Sequence, residues 1–206
     1  MNKFIKKTLL FCVPVLILIL IMELLLRNIP NDYSYKKNYL DKHSNEIEIL
    51  FLGSSHAFRA INPKFIHSNG FNAAHIAQSL DYDIKILRKY EKQTDKLKYI
   101  VVPIDYFSLF NRLETGVESW RIKNYNIYYG FNQSYKCKDN FEILNGKLFD
   151  NIKRIVKFYW HNKSDISCNT LGWGKRNSIN NKDLIASGKA AAQDSLKITS
   201  LFLMKI

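Results

Sequence analysis

Three residues with usable chemistry stand side by side in this chain: Ser54, Ser55 and His56, directly after an apolar run that ends at Gly53. A serine hydroxyl is a poor nucleophile at neutral pH. It needs a base to take its proton and donors to hold the oxyanion. His56 is adjacent in sequence and points away from Ser55 in ordinary backbone geometry. His75 is a second candidate base. His161 is a third, and Asp165 lies four residues on, which on a helix suits a His–Asp pair. The bland readings stand beside these. A lone histidine is more often a solvated side chain or a core hydrogen-bonder, and a serine after a strand often only closes a loop. Cys12, Cys137 and Cys168 form no CxxC pair and have no zinc-ligand spacing, so neither a structural metal nor a cofactor is expected.

The elements that must position Ser55 are legible nearby. Ile47, Ile49, Leu50, Phe51 and Leu52 read as a buried strand closed by Gly53. Asn62-Pro63 reads as a helix start, with Asn as cap and Pro in the first helical position. A short second strand is expected near Phe71–Ala74 and an amphipathic helix over Leu80–Asp95, with Ile84, Leu87 and Tyr90 on its apolar face. Tyr99–Ile104 is a third apolar run. Strand, helix, strand, helix, strand predicts an α/β layer with a parallel sheet. In such sheets chemistry gathers beyond the carboxyl ends of the strands. Ser54, Ser55 and His56 follow the first strand, and Asp105 follows the third.

The stretch Ile49-Leu50-Phe51-Leu52-Gly53-Ser54-Ser55-His56 resembles the first block of the SGNH (GDSL-like) hydrolase superfamily. The resemblance implies that Ser55 is the nucleophile and that Ser54 takes the place of the usual Asp. Asn72-Ala73-Ala74-His75-Ile76-Ala77-Gln78-Ser79 is similar to the second block, with Asn72 at the Asn position and Ala77 where a Gly N–H helps form the oxyanion hole. Pro30-Asn31-Asp32-Tyr33 and Ile61-Asn62-Pro63 extend the likeness to membrane-anchored bacterial members associated with surface-polymer acylation. The implied fold is a three-layer, flavodoxin-like α/β domain with parallel strands. The implied activity is that of a serine esterase or O-acyltransferase acting on a surface polysaccharide or other envelope polymer.

The departures are specific. The third block supplies an Asn where this chain reads Ile104-Asp105-Tyr106-Phe107-Ser108, and no Asp here has a His three residues later, as the last block requires. Asp194-Ser195-Leu196-Lys197 is the nearest trace. The resemblance therefore predicts a domain incomplete at its C-terminus, the front portion of a longer protein, which would be inactive as it stands. A non-catalytic envelope protein is the alternative.

Around this domain the chain divides simply. Residues 1–27 read as a cytoplasmic tip and an uncleaved membrane anchor. Thr8–Leu26 is almost wholly apolar and, at about 1.5 Å per residue, spans about 28 Å. No small-residue cleavage site follows it. Lys3, Lys6 and Lys7 precede the span and only Arg27 follows closely, which puts the N-terminus in the cytoplasm and the bulk of the chain outside a cytoplasmic membrane. Glu23 near the outer end is expected to snorkel. Residues 28–45 read as a polar juxtamembrane connector, and 46–206 as the α/β domain. The net charge of +13 is spread along the chain and reads as a solvated basic exterior; with an anchor in place, no nucleic-acid partner is expected. Outside the cytoplasm Cys137 and Cys168 are open to pairing. The aromatic runs Tyr125–Phe131 and Phe158–Trp160 suit either core packing or stacking on sugars. Gly172-Trp173-Gly174 reads as a turn, Ser187–Ala192 as a short helix or disordered, and Leu196–Ile206 as a late apolar run.

Overall fold

The computed structural model describes residues 2–66, 69–132 and 136–174; the sequence readings on Ser187–Ala192, Asp194 and Leu196–Ile206 fall outside the described residues. Helix α1 (Asn2–Arg27) is apolar and exposed along most of its length, and it is long and apolar enough to cross a membrane. Its last turn is different. Leu26 and Glu23 are buried. Glu23 does not snorkel: its carboxylate accepts from Arg27 Nε at 2.6 Å and from the backbone N–H groups of Glu142 and Ile143 at 3.0 and 2.9 Å. Arg27 in turn donates to the Asn140 carbonyl at 2.6 Å. The C-terminal end of α1 is thus bolted to a loop more than a hundred residues away.

The segment read as a connector is a helix. Asn31 caps α2 (Asp32–His43) by accepting from the N–H groups of Tyr33 and Ser34, and the Ser34 hydroxyl accepts from the Asn31 N–H in return, a reciprocal cap that satisfies otherwise orphaned donors. Tyr33 and Leu40 belong to the main core, so α2 is part of the domain.

The sheet is parallel and three-stranded, in the order β2 (Gly70–Asn72), β1 (Ile49–Phe51), β3 (Tyr99–Val101). Leu50 lies opposite Phe71 on one side and Ile100 on the other. The first and third apolar runs are therefore direct neighbours. Leu50 and Phe51 of central β1 and Phe71 of β2 are buried, whereas Tyr99, Ile100 and Val101 of β3 remain exposed. Helix α3 (Ser55–Ala60) follows β1, and Asn62-Pro63 opens only a single 3-10 turn, Pro63–Phe65, with the Asn62 side chain accepting from Lys64 N–H. Helix α4 (Leu80–Tyr90) ends five residues earlier than its pattern suggests; of its expected apolar face, Tyr90 and Leu87 meet the core and Ile84 does not. Tyr82, Asp83, Ile86 and Tyr90 are buried, while Ile84 is 48% exposed.

The second half wraps this layer. Helix α5 (Ile122–Asn124) runs into a π-helical turn, Tyr125–Tyr129, ended by Gly130 at φ 72°. Tyr125 and Tyr129 pack in the core against Tyr33 and Tyr82. The first aromatic run is therefore core. Helix α6 (Leu148–Tyr159) contacts α1. Residues 168–174 close over α3 and β2: Gly174 N–H donates to the Phe58 carbonyl and Asn72 N–H to the Leu171 carbonyl. A Cβ on Gly172, at φ 80°, would stand 2.0 Å from the Asn72 carbonyl oxygen, so this close approach admits only glycine. Cys12, Cys137 and Cys168 are all free thiols, so the Cys137–Cys168 pairing left open by the sequence does not form.

Candidate functional site

Gly53 makes the turn from β1 into α3. Its φ of 117° is open to glycine without strain, and a Cβ there would press on Ala57 at 3.2 Å. Its N–H donates to Asp83 Oδ1 at 2.8 Å and its carbonyl accepts from His75 N–H at 3.3 Å. Ser54 is the N-cap of α3: its hydroxyl oxygen accepts from His56 N–H at 3.5 Å and its carbonyl from Phe58 N–H at 3.0 Å. Ser55 is the first residue of α3, half-buried, directly past the carboxyl end of the central strand.

His56 leans across that strand end to β3. Its Nδ1 is 2.6 Å from Asp105 Oδ2, and the pair is open to solvent. Asp105 is held by its own turn, its N–H donating to Ser108 Oγ at 3.0 Å while Ser108 N–H donates to the Asp105 carbonyl at 2.9 Å. Binding Asp105 through Nδ1 leaves Nε2 as the free, exposed ring nitrogen.

His75 lies in the core. It is buried, stacked on the Tyr33 ring at 4.0 Å, with Nε2 3.0 Å from the Tyr129 hydroxyl. Burial, reinforced by Lys36 and Arg121, pushes its pKa well below the ordinary imidazole value, so it is neutral at pH 7. Among the described residues, no carboxylate orients it. His161 is exposed in the turn after α6, and the expected His161–Asp165 pair does not form: Asp165 holds Arg154 and Lys157, each at 2.9 Å. Asn72 is a staple. Its amide donates to the Ala57 and Ile61 carbonyls at 2.8 Å each, and its Oδ1 accepts from Ala74 N–H. Ala77 sits at φ 58°, a left-handed conformation that glycine adopts at less cost.

Two supporting residues escaped the sequence reading. Asp83 is buried under the Gly53 turn, with Oδ1 accepting from Gly53 N–H and from Gln78 Nε2 at 2.5 Å while Oδ2 has no hydrogen-bond partner among the described residues. Burial pushes its carboxyl up to about 6, against the pull of those two hydrogen bonds. Lys36 is fully buried. Its ammonium donates to the Ala74 carbonyl and lies 4.4 Å from the centre of the Phe58 ring, and burial brings its pKa down to about 7. Lys36 sits in the segment read as a connector. Asp83 lies in the first turn of α4, where an acid reads as a solvent-facing partner of the helix dipole.

A separate cavity of about 750 Å³ is lined by Asn31, Asp32, Lys123, Asn151, Arg154 and Asp165, among others; Ser54, Ser55, His56 and Asp105 do not line it. Among the described residues, no group of three or more His, Cys, Asp or Glu side chains converges as metal ligands would. Comparisons with protein-family profiles, curated proteins and solved structures find no match.

Proposed function

We propose that this chain is a membrane-anchored, SGNH-like esterase or O-acyltransferase domain that acts on a cell-envelope polymer, with Ser55 as its nucleophile. α1 is its single span, with the N-terminus in the cytoplasm and the domain outside. One observation carries the reading: Ser55 opens a helix at the carboxyl end of the central parallel strand, beside a His56–Asp105 pair that bridges two strand ends. Backbone N–H groups at such a strand-to-helix turn are the natural donors for an oxyanion. The side chain of Ser54, spent as a cap, takes no part in bond making. His56 is oriented by Asp105, but it neighbours Ser55 on α3, where adjacent side chains diverge, so its role as base rests on the outcome of His56→Ala and Asp105→Ala.

A non-catalytic envelope protein is the second reading, and the placement of the other histidines favours it. His75 is a neutral core residue and the Asp165 carboxylate holds Arg154 and Lys157 rather than His161, so among the described residues neither completes a triad. The oxyanion hole and binding alone would leave only about 10³–10⁴-fold over water. The test is labelling of the detergent-solubilised full chain by a fluorophosphonate probe, together with hydrolysis of p-nitrophenyl acetate. Labelling that vanishes in Ser55→Ala supports the enzyme. Equal, weak labelling in both proteins leaves the non-catalytic reading.

A further inference from the structure

Helix α6 is built inside out. The side it turns to the protein carries buried polar groups, with Ile155 and Phe158 half-buried beside them: Asn151 is 2% exposed and donates to the Ile143 carbonyl, and Arg154 is ion-paired with Glu142 and Asp165. The side it turns outward is apolar. Leu148, Phe149, Ile152, Val156, Tyr159 and Trp160 are all exposed, Phe149 by 66% and Trp160 by 83%. At about 100° per residue these six fall within an arc of about 120°. Lys153 and Lys157 border that arc; the Lys153 ammonium lies 4.3 Å from the centre of the Phe149 ring. A soluble protein would turn such a helix over.

We propose that the outward face of α6 lies in the bilayer interface at the C-terminal end of α1, as a second, in-plane membrane contact. Its occupant is the lipid surface, for three reasons. First, α6 packs on α1 at the level of the span's last turn, where the Tyr159 hydroxyl donates to the Leu25 carbonyl at 3.1 Å and the preceding turn is tied to α1 through Glu23. The apolar arc is therefore continuous with the surface of the anchor at its exit from the membrane. Second, the composition fits: aliphatic and aromatic side chains bordered by lysines, with Tyr and Trp at one end, match a helix that lies about 5–10 Å into the headgroup boundary. Third, lysine borders suit an anionic leaflet. The consequence is a domain held at two points, fixed in tilt at the membrane surface. The proposal rests on α1 being an uncleaved span.

The test uses the full chain with Cys12→Ser, Cys137→Ser and Cys168→Ser, reconstituted into phosphatidylcholine–phosphatidylglycerol vesicles. A single cysteine is introduced as Val156→Cys or, separately, Leu16→Cys, and labelled with an environment-sensitive NBD fluorophore. The expected result at 156 is blue-shifted emission, quenched severalfold by lipids spin-labelled near the headgroup. Water-like emission at 156 overturns the proposal. So does blue-shifted emission that spin-labelled lipid leaves untouched, because protein would then cover the face. The Leu16 label separates the two readings. Quenched by deeply labelled lipid while 156 is not, it retains the anchor and refutes α6 alone; if Leu16 too is unquenched, the anchor falls and this inference with it.

Discussion

Nδ1 of His56 lies 2.6 Å from Oδ2 of Asp105, which joins the residue after Ser55 to the carboxyl end of the neighbouring strand. The pair is solvent-exposed, and such pairs contribute at most about 1 kcal/mol to stability. If His56 is the base, His56→Ala and Asp105→Ala both abolish Ser55-dependent fluorophosphonate labelling and leave the thermal midpoint nearly unchanged. His75→Phe does the reverse: it retains labelling and lowers the midpoint, because it empties the Tyr129 hydroxyl of its partner. Undiminished labelling in His56→Ala would remove His56 from the mechanism.

Asp83 makes stability depend on pH in an unusual direction. Its carboxyl is raised from 3.8 to about 6 on folding. The folded state therefore holds the proton more tightly, and the contribution of this group is fully present below about pH 4 and lost as pH rises through 6. Asp83→Asn removes the buried charge and stabilises the protein at pH 7.5 by about 3 kcal/mol. The gap between variant and wild type should close on acidification below pH 4. Thermal unfolding in detergent across that range measures it, and a gap independent of pH would refute the assignment.

Glu142 is the hub of the second half. Its buried carboxylate takes Lys123 at 2.5 Å, Arg154 at 3.0 Å and the Tyr128 hydroxyl at 2.9 Å. Burial alone would raise this carboxyl, but Lys123 and Arg154 outweigh it and hold it below its usual value. Glu142→Ala strands the buried Lys123 ammonium and should cost about 3–5 kcal/mol. Urea unfolding of the solubilised chain reads this directly. A loss under 1 kcal/mol would mean that Lys123 finds water.

Topology has its own test. Asn38 is exposed on α2, beyond the C-terminal end of α1. In the background without native cysteines, Asn38→Cys should react with an impermeant maleimide on intact cells, after permeabilisation of an outer membrane where there is one. Reaction only after lysis would reverse the orientation inferred from Lys3, Lys6 and Lys7.

The missed elements have physical reasons. Helix α2 has few apolar residues, and its buried Lys36 reads as a solvated charge until Phe58 and the Ala74 carbonyl are seen to surround it. Tyr90 and Leu87 of the expected apolar face of α4 do meet the core, but Tyr82 and Ile86 take the place expected for Ile84; a short helix with apolar residues on two sides does not declare which side faces in. Glu23 reads as an interfacial charge because its acceptors' partners, the N–H groups of Glu142 and Ile143, are remote in sequence.

By itself the sequence determined the long apolar helix, the apolar runs that become β1 and β3, and the position of Ser55 after the first of them. Those features depend on local periodicity and on residues a few positions apart. Only the tertiary structure decided which histidine meets a carboxylate, that Asp83 braces the Gly53 turn, and that α6 shows its apolar side outward. Each of these depends on contacts between residues far apart in the chain, and such contacts are set by how whole elements pack, which no local pattern encodes.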